Sequence, residues 1–105
     1  MEGLMSNSSS AGMSLTLVEL VGDLSLKQYA SNDDPLYLAT GIASYLGLVY
    51  VLQNALRTEK LAIVNSYWDA YSNLMTTGAG LMIGEIYTTK QAVGMLLIGV
   101  GLFLL

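Results

Sequence analysis

Four runs of mostly apolar residues, separated by short polar breaks, make up nearly all of the chain. The first extends from about Ala11 to Tyr29 and carries Glu19, Asp23 and Lys27 at i, i+4 and i+8, a spacing that the helical period places along one face. That face is unsuited to lipid. The segment Ala30–Pro35, ASNDDP, predicts a turn, with Asp33 and Asp34 suited to capping and Pro35 to the first turn of the next helix. Leu36–Leu56 forms the second run. Arg57–Lys60 is a tight connection, and the third run, Leu61 to about Ile83, is polar in its first half, with Asn65, Trp68, Asp69, Tyr71 and Asn73. Gly84–Lys90 connects this to Gln91–Leu105, which is strongly apolar but short for a full crossing. Before the first run, residues 1–10 read MEGLMSNSSS, a small polar tail without the basic residues of a cleavable signal peptide, expected to be disordered or to lie on a surface.

A helix needs about 20 mostly apolar residues to cross a hydrocarbon core roughly 30 Å thick. The pattern therefore predicts an all-α fold, a four-transmembrane-helix bundle spanning about 11–29, 36–56, 61–83 and 91–105 behind a polar tail at 1–10. Composition agrees, with 53% hydrophobic residues, 11% charged residues and a mean hydropathy of +0.54. The expected localisation is that of a multi-pass integral membrane protein, with the lipid bilayer as its solvent. Basic residues in short loops normally set orientation, but Lys27 and Lys90 fall on one side and Arg57 and Lys60 on the other. The bias cancels, so either another feature fixes the topology or the chain inserts both ways round.

The formal charge of −4, with only four basic residues and those well separated, argues against a nucleic-acid partner. The chain has no Cys and no His, which excludes disulfides, zinc sites of the usual kind and histidine acid–base catalysis. No set of nucleophile, base and orienting group can be assembled, so an enzyme is not expected, nor is a cofactor or a metal site. Chemistry rests on carboxylates, amides, hydroxyls and aromatic rings.

Glu19 is the sharpest signal, because an ionisable group in mid-span costs roughly 2.5–3.5 kcal/mol on insertion scales and is kept mainly where it works or is paired. The bland alternative is a neutral, hydrogen-bonded acid inside a bundle. Asp23, one turn on, forms with Glu19 a pair that cannot ionise twice cheaply and that would store a proton. Its competing explanation, a salt bridge to Lys27 at i+4, weighs more than a direct transport role. Tyr45, Tyr50, Tyr67, Trp68 and Tyr71 offer ring faces to an organic cation, although interfacial belts explain most such residues. Trp68, Asp69 and Asn65 are better placed, as a polar, aromatic-lined cavity. Glycines at 78, 80, 84, 94, 99 and 101 suit close helix packing; Gly80 and Gly84 have GxxxG spacing, and Gly94, Leu97, Ile98 and Gly101 form a narrow seam suited to self-association.

The segment VELVGDLSLK with Glu19, Gly22 and Lys27, then Tyr45, Trp68, the Gly84–Glu85 pair and the closing AVGMLLIGVGLFLL, resembles the small multidrug resistance family in order and spacing. The likeness covers about Leu15 to Leu105, with a one-residue adjustment in the third helix. It implies four-helix subunits paired as antiparallel dimers that exchange protons for cationic substrates. Glu19 would be the shared proton and substrate site, Trp68 an aromatic wall, Tyr45 a further binding aromatic and Gly94–Gly101 the dimer seam. The balanced basic residues fit a dimer of opposed subunits. Asn65 stands where the family has a tyrosine, Ala70, Tyr71 and Ser72 stand where it has a Gly-x-Gly hinge, and Asp23 and Asp69 are additional acids. Gly22 is typical of members that take quaternary ammonium ions.

Two functions are expected on this basis. The first is a proton-coupled antiporter exporting small organic cations through a homodimer, in which Glu19, Asp23 and Asp69 from two chains favour polyvalent cations such as polyamines. The second is a structural or accessory membrane protein with the same fold and no transport cycle, for example part of a larger assembly or a viral envelope; the altered hinge and Asn65 favour it.

Overall fold

The structure, a computed structural model, describes residues 6–105, and among these it is all-helical. The first helix, α1 (Asn7–Asn32), begins four residues before the expected start. Ser6 caps it, its hydroxyl accepting the Ser9 backbone N–H at 3.1 Å. Of the expected tail, then, residues 7–10 are helical and Ser8 and Ser9 are buried, while Met1–Met5 lie outside the described residues. Apolar periodicity gives no warning of this turn, because tertiary hydroxyl contacts hold it. Ser8 donates to Glu59 Oε1 at 2.9 Å, and the hydroxyls of Ser9 and Tyr71 meet at 2.6 Å.

The turn after α1 follows the local signals. Asp33 takes the left-handed conformation (φ 57°) and its N–H closes on the Tyr29 carbonyl at 2.7 Å, while Asp34 caps α2 (Pro35–Ala55) by accepting the Leu36 N–H at 3.0 Å. Pro35 occupies the first helical turn, where its missing N–H costs nothing. After a short connection α3 covers Leu61–Met82, and Gly84 (φ 96°) turns the chain toward α4 (Thr89–Leu104). Thr88 and Gln91 form a reciprocal capping box, which starts α4 two residues earlier than the apolar run suggests.

Helix α1 lies between α2 and α3, and α4 packs chiefly on the far side of α3. The α1–α2 pair is antiparallel: Gly22 lies against Tyr45 and Ser44, and Gly41 against Leu26. Helices α1 and α3 run parallel, so close that a Cβ on Gly12 would sit 2.7 Å from Tyr67 Cβ and 2.9 Å from the Trp68 nitrogen. The Cα trace extends 42 × 36 × 16 Å, and the 36 Å width is what four helices at roughly 10 Å spacing give when set in a row. The single chain is therefore an open, bent row rather than a closed bundle.

Its interior is correspondingly small. Leu15, Leu48 and Val64 join α1, α2 and α3 in one cluster, and Tyr67, Ala70 and Leu102 join α3 to α4 in another. Most large apolar side chains point outward; on α2, Leu46 and Val49 are 68% and 65% exposed. Helix α2 is long and apolar enough to cross a membrane, α4 is apolar but shorter at 16 residues, and α1 and α3 are long but carry more polar groups.

Candidate functional site

The two faces of α1 differ in kind. Ser10, Ser14, Leu17, Val21 and Gln28 form one exposed stripe, whereas Ser8, Gly12, Leu15, Glu19 and Asp23 follow the opposite side, between α2 and α3. Glu19 is half-buried in that trough and accepts a hydrogen bond from the Ser72 hydroxyl of α3. Asp23 accepts one from the Tyr45 hydroxyl of α2. The second contact depends on Gly22, since a Cβ there would stand 2.9 Å from Tyr45 Cε2 and push the ring away.

Asp23 is not paired with Lys27. The Lys27 ammonium reaches instead to Glu85 Oε2, at 3.2 Å, in the α3–α4 connection, so the i+4 salt bridge expected within α1 is replaced by one between elements. The physical reason is competition: Tyr45 occupies Asp23, while Glu85 offers a carboxylate at the end of α1 where both partners stay hydrated. Among the described residues this is the only salt bridge. Among the described residues, Glu19 and Asp23 thus have hydroxyl partners and no basic counter-ion.

Trp68 lies one turn before Ser72 on the same face of α3 and packs against the Leu15–Leu48–Val64 cluster. Its indole N–H is buried without a partner among the described residues. Tyr45 is 37% exposed beside Asp23. Asn65 is half-buried and Asp69 exposed, and neither makes a side-chain hydrogen bond or ion pair among the described residues. Asp69 lies about a quarter turn from the Trp68–Ser72–Thr76 row, off the face that carries the Ser72 contact to Glu19.

The glycines divide by location. Gly80 is covered by the returning connection, where a Cβ would collide with Tyr87 and Glu85, and Gly84 lies outside the helix; their GxxxG spacing marks a turn, not a helix–helix contact. On α4, Met95, Gly99 and Leu102 face α3, while Gly94, Leu97, Ile98 and Gly101 are exposed. A Cβ on Gly94 or Gly101 would meet nothing within 4 Å.

Three residues of this region were not singled out by spacing alone. Ser72 lies mid-way along α3, where its hydroxyl holds Glu19; Glu85 and Tyr87 lie in a connection without periodicity. Tyr87 donates its one hydroxyl proton between the Thr77 carbonyl at 3.1 Å and Glu85 Oε1 at 3.2 Å. Its partial burial, then the adjoining Glu85 carboxylate, raise its pKa above the ordinary 10.0. Among the described residues no three acidic side chains gather to hold a metal ion. Comparison with protein-family models, with curated proteins and with solved structures gave no match.

Proposed function

We propose that the chain is one subunit of a multi-pass membrane antiporter that exchanges protons for small organic cations at Glu19. The observation that carries this reading is the absence of a basic counter-ion among the described residues: two carboxylates face a trough between α2 and α3, and the base one turn away is engaged elsewhere. In low dielectric such a charge is stabilised by a proton or by a cation from outside, and the two compete for one acid. Competition at a single group makes binding of one release the other, which is the requirement of exchange. Ser72 would orient the Glu19 carboxylate, with Trp68 one turn away as an apolar wall and Tyr45 and Asp23 as the adjoining polar edge.

The open row supports a dimer. A trough lined by Glu19 and Asp23 needs a cover in a bilayer, and a second copy docked through the bare Gly94–Leu97–Ile98–Gly101 face of α4 is the expected one. The four helices would each cross the bilayer, with short α4 thinning it locally. Proton-driven uptake of an organic cation into proteoliposomes tests this reading: Glu19→Gln is expected to abolish uptake, and uptake at the wild-type rate would refute the assignment.

One observation favours a second reading, a non-transporting scaffold with the same fold. The segment standing in place of a hinge is tied to α1, Tyr71 to Ser9 and Ser72 to Glu19, which stiffens α3 where alternating access would bend it. A scaffold would release no proton on addition of cations.

A further inference from the structure

The region beyond Asp23 holds a cavity of about 180 Å³ between the C-terminal halves of α1 and α3. Leu20, Leu24, Ala79 and Ile83 give it apolar walls, and Asp23, Lys27 and Glu85 give it charge. An alkyl chain with a cationic group at each end has matching chemistry. Glu85 is held ready for such a ligand: its N–H donates to the Gly80 carbonyl at 2.9 Å, Tyr87 donates to Oε1, and Gly80 leaves room for both side chains. What occupies its other oxygen is already a primary ammonium on an alkyl stem, that of Lys27. The side chains of Lys27 and Glu85 are 59% and 40% exposed, and an ion pair this well hydrated is held weakly and opens readily.

Resting on the antiporter reading above, we infer that this cavity is a second ammonium subsite, in which Glu85 receives the far amine of a diamine and Lys27 is a tethered amine that holds its place. A diamine with one end in the Glu19–Asp23 trough would extend along the apolar walls and displace the Lys27 ammonium from Glu85. Lys27 then swings into water, and Tyr87 keeps the carboxylate aimed. The subsite selects diamines over monoamines of equal length because only they replace the ion pair they break. A monoamine leaves Lys27 where it is.

The test is calorimetric titration of the purified full-length protein in detergent with butylamine and with diaminobutane, for wild type, Glu85→Gln, Lys27→Gln and Glu19→Gln. The wild type is expected to favour the diamine by about tenfold, the scale of one well-placed charge-assisted contact. Glu85→Gln should bring that ratio close to unity while leaving butylamine binding in place. Lys27→Gln should raise diamine affinity several-fold, since it removes the tethered competitor. The opposite signs separate a subsite from a merely structural ion pair, whose loss would act the same way from either side; Lys27→Gln and Glu85→Gln both weakening diamine binding would overturn the inference. A wild type that binds butylamine through Glu19, with a ratio unmoved in Glu85→Gln, would overturn the subsite alone. A wild type that binds neither amine would overturn the antiporter reading and the subsite with it.

Discussion

Ser72 of α3 donates its hydroxyl proton to the carboxylate of Glu19 on α1, joining the two parallel helices at mid-length. A hydrogen bond contributes about 0.5–1.5 kcal/mol net, so the pair should be visible in a double-mutant cycle. Thermal or denaturant unfolding in detergent of Ser72→Ala, Glu19→Ala and the double variant is expected to give a coupling of about that size. Strict additivity would mean that the two side chains do not act together.

Gly22 and Tyr45 form the second dependence. Placing a methyl group on Gly22 forces the Tyr45 ring off Asp23, so Gly22→Ala and Tyr45→Phe should remove the same contact. Overpacking of this kind costs about 1–3 kcal/mol. Cation binding should fall alike in both single variants and fall no further in the double; independent, multiplying losses would argue that Tyr45 and Asp23 are not a unit.

Gly12 and Gly94 are predicted to behave oppositely. A Cβ on Gly12 meets Tyr67 Cβ at 2.7 Å and the Trp68 backbone nitrogen at 2.9 Å, which only separation of α1 from α3 relieves, whereas a Cβ on Gly94 meets open space. Gly12→Leu should therefore lower the stability of the chain itself. Gly94→Leu should leave helicity and subunit stability intact and weaken self-association, measured by crosslinking from a cysteine at Ile98. Unchanged crosslinking in Gly94→Leu would remove α4 from the dimer interface.

Tyr87 gives a pH dependence with a defined sign. Partial burial and Glu85 raise its pKa above the ordinary 10.0, so the folded protein keeps a proton that the unfolded chain releases. Its contribution is fully present below the unfolded value and is lost as pH rises through the higher folded one. The difference in Tm between wild type and Tyr87→Phe should be level below pH 10 and shrink above it. A difference that stays level across that range would contradict the contact to Glu85.

The parts legible in the sequence are those carried by local chemistry. Asp34 before Pro35 announces the start of α2, and the carboxylates at 19 and 23 announce a polar face on α1. The early start of α1 was hidden because Ser8 and Ser9 are held by Glu59 and Tyr71, far away in the chain. Lys27 obeys the same rule, since spacing points to Asp23 one turn away whereas the fold supplies Glu85 from the α3–α4 connection. Ser72 is one hydroxyl among several on α3, and its partner Glu19 becomes apparent once α1 and α3 are seen to run parallel.

The most direct test of the central claim is proton release from purified protein in weakly buffered detergent on addition of an organic cation. Release from wild type that disappears in Glu19→Gln is the result expected of an exchanger at this carboxylate. Cation binding without proton release, or release undiminished in Glu19→Gln, would contradict it.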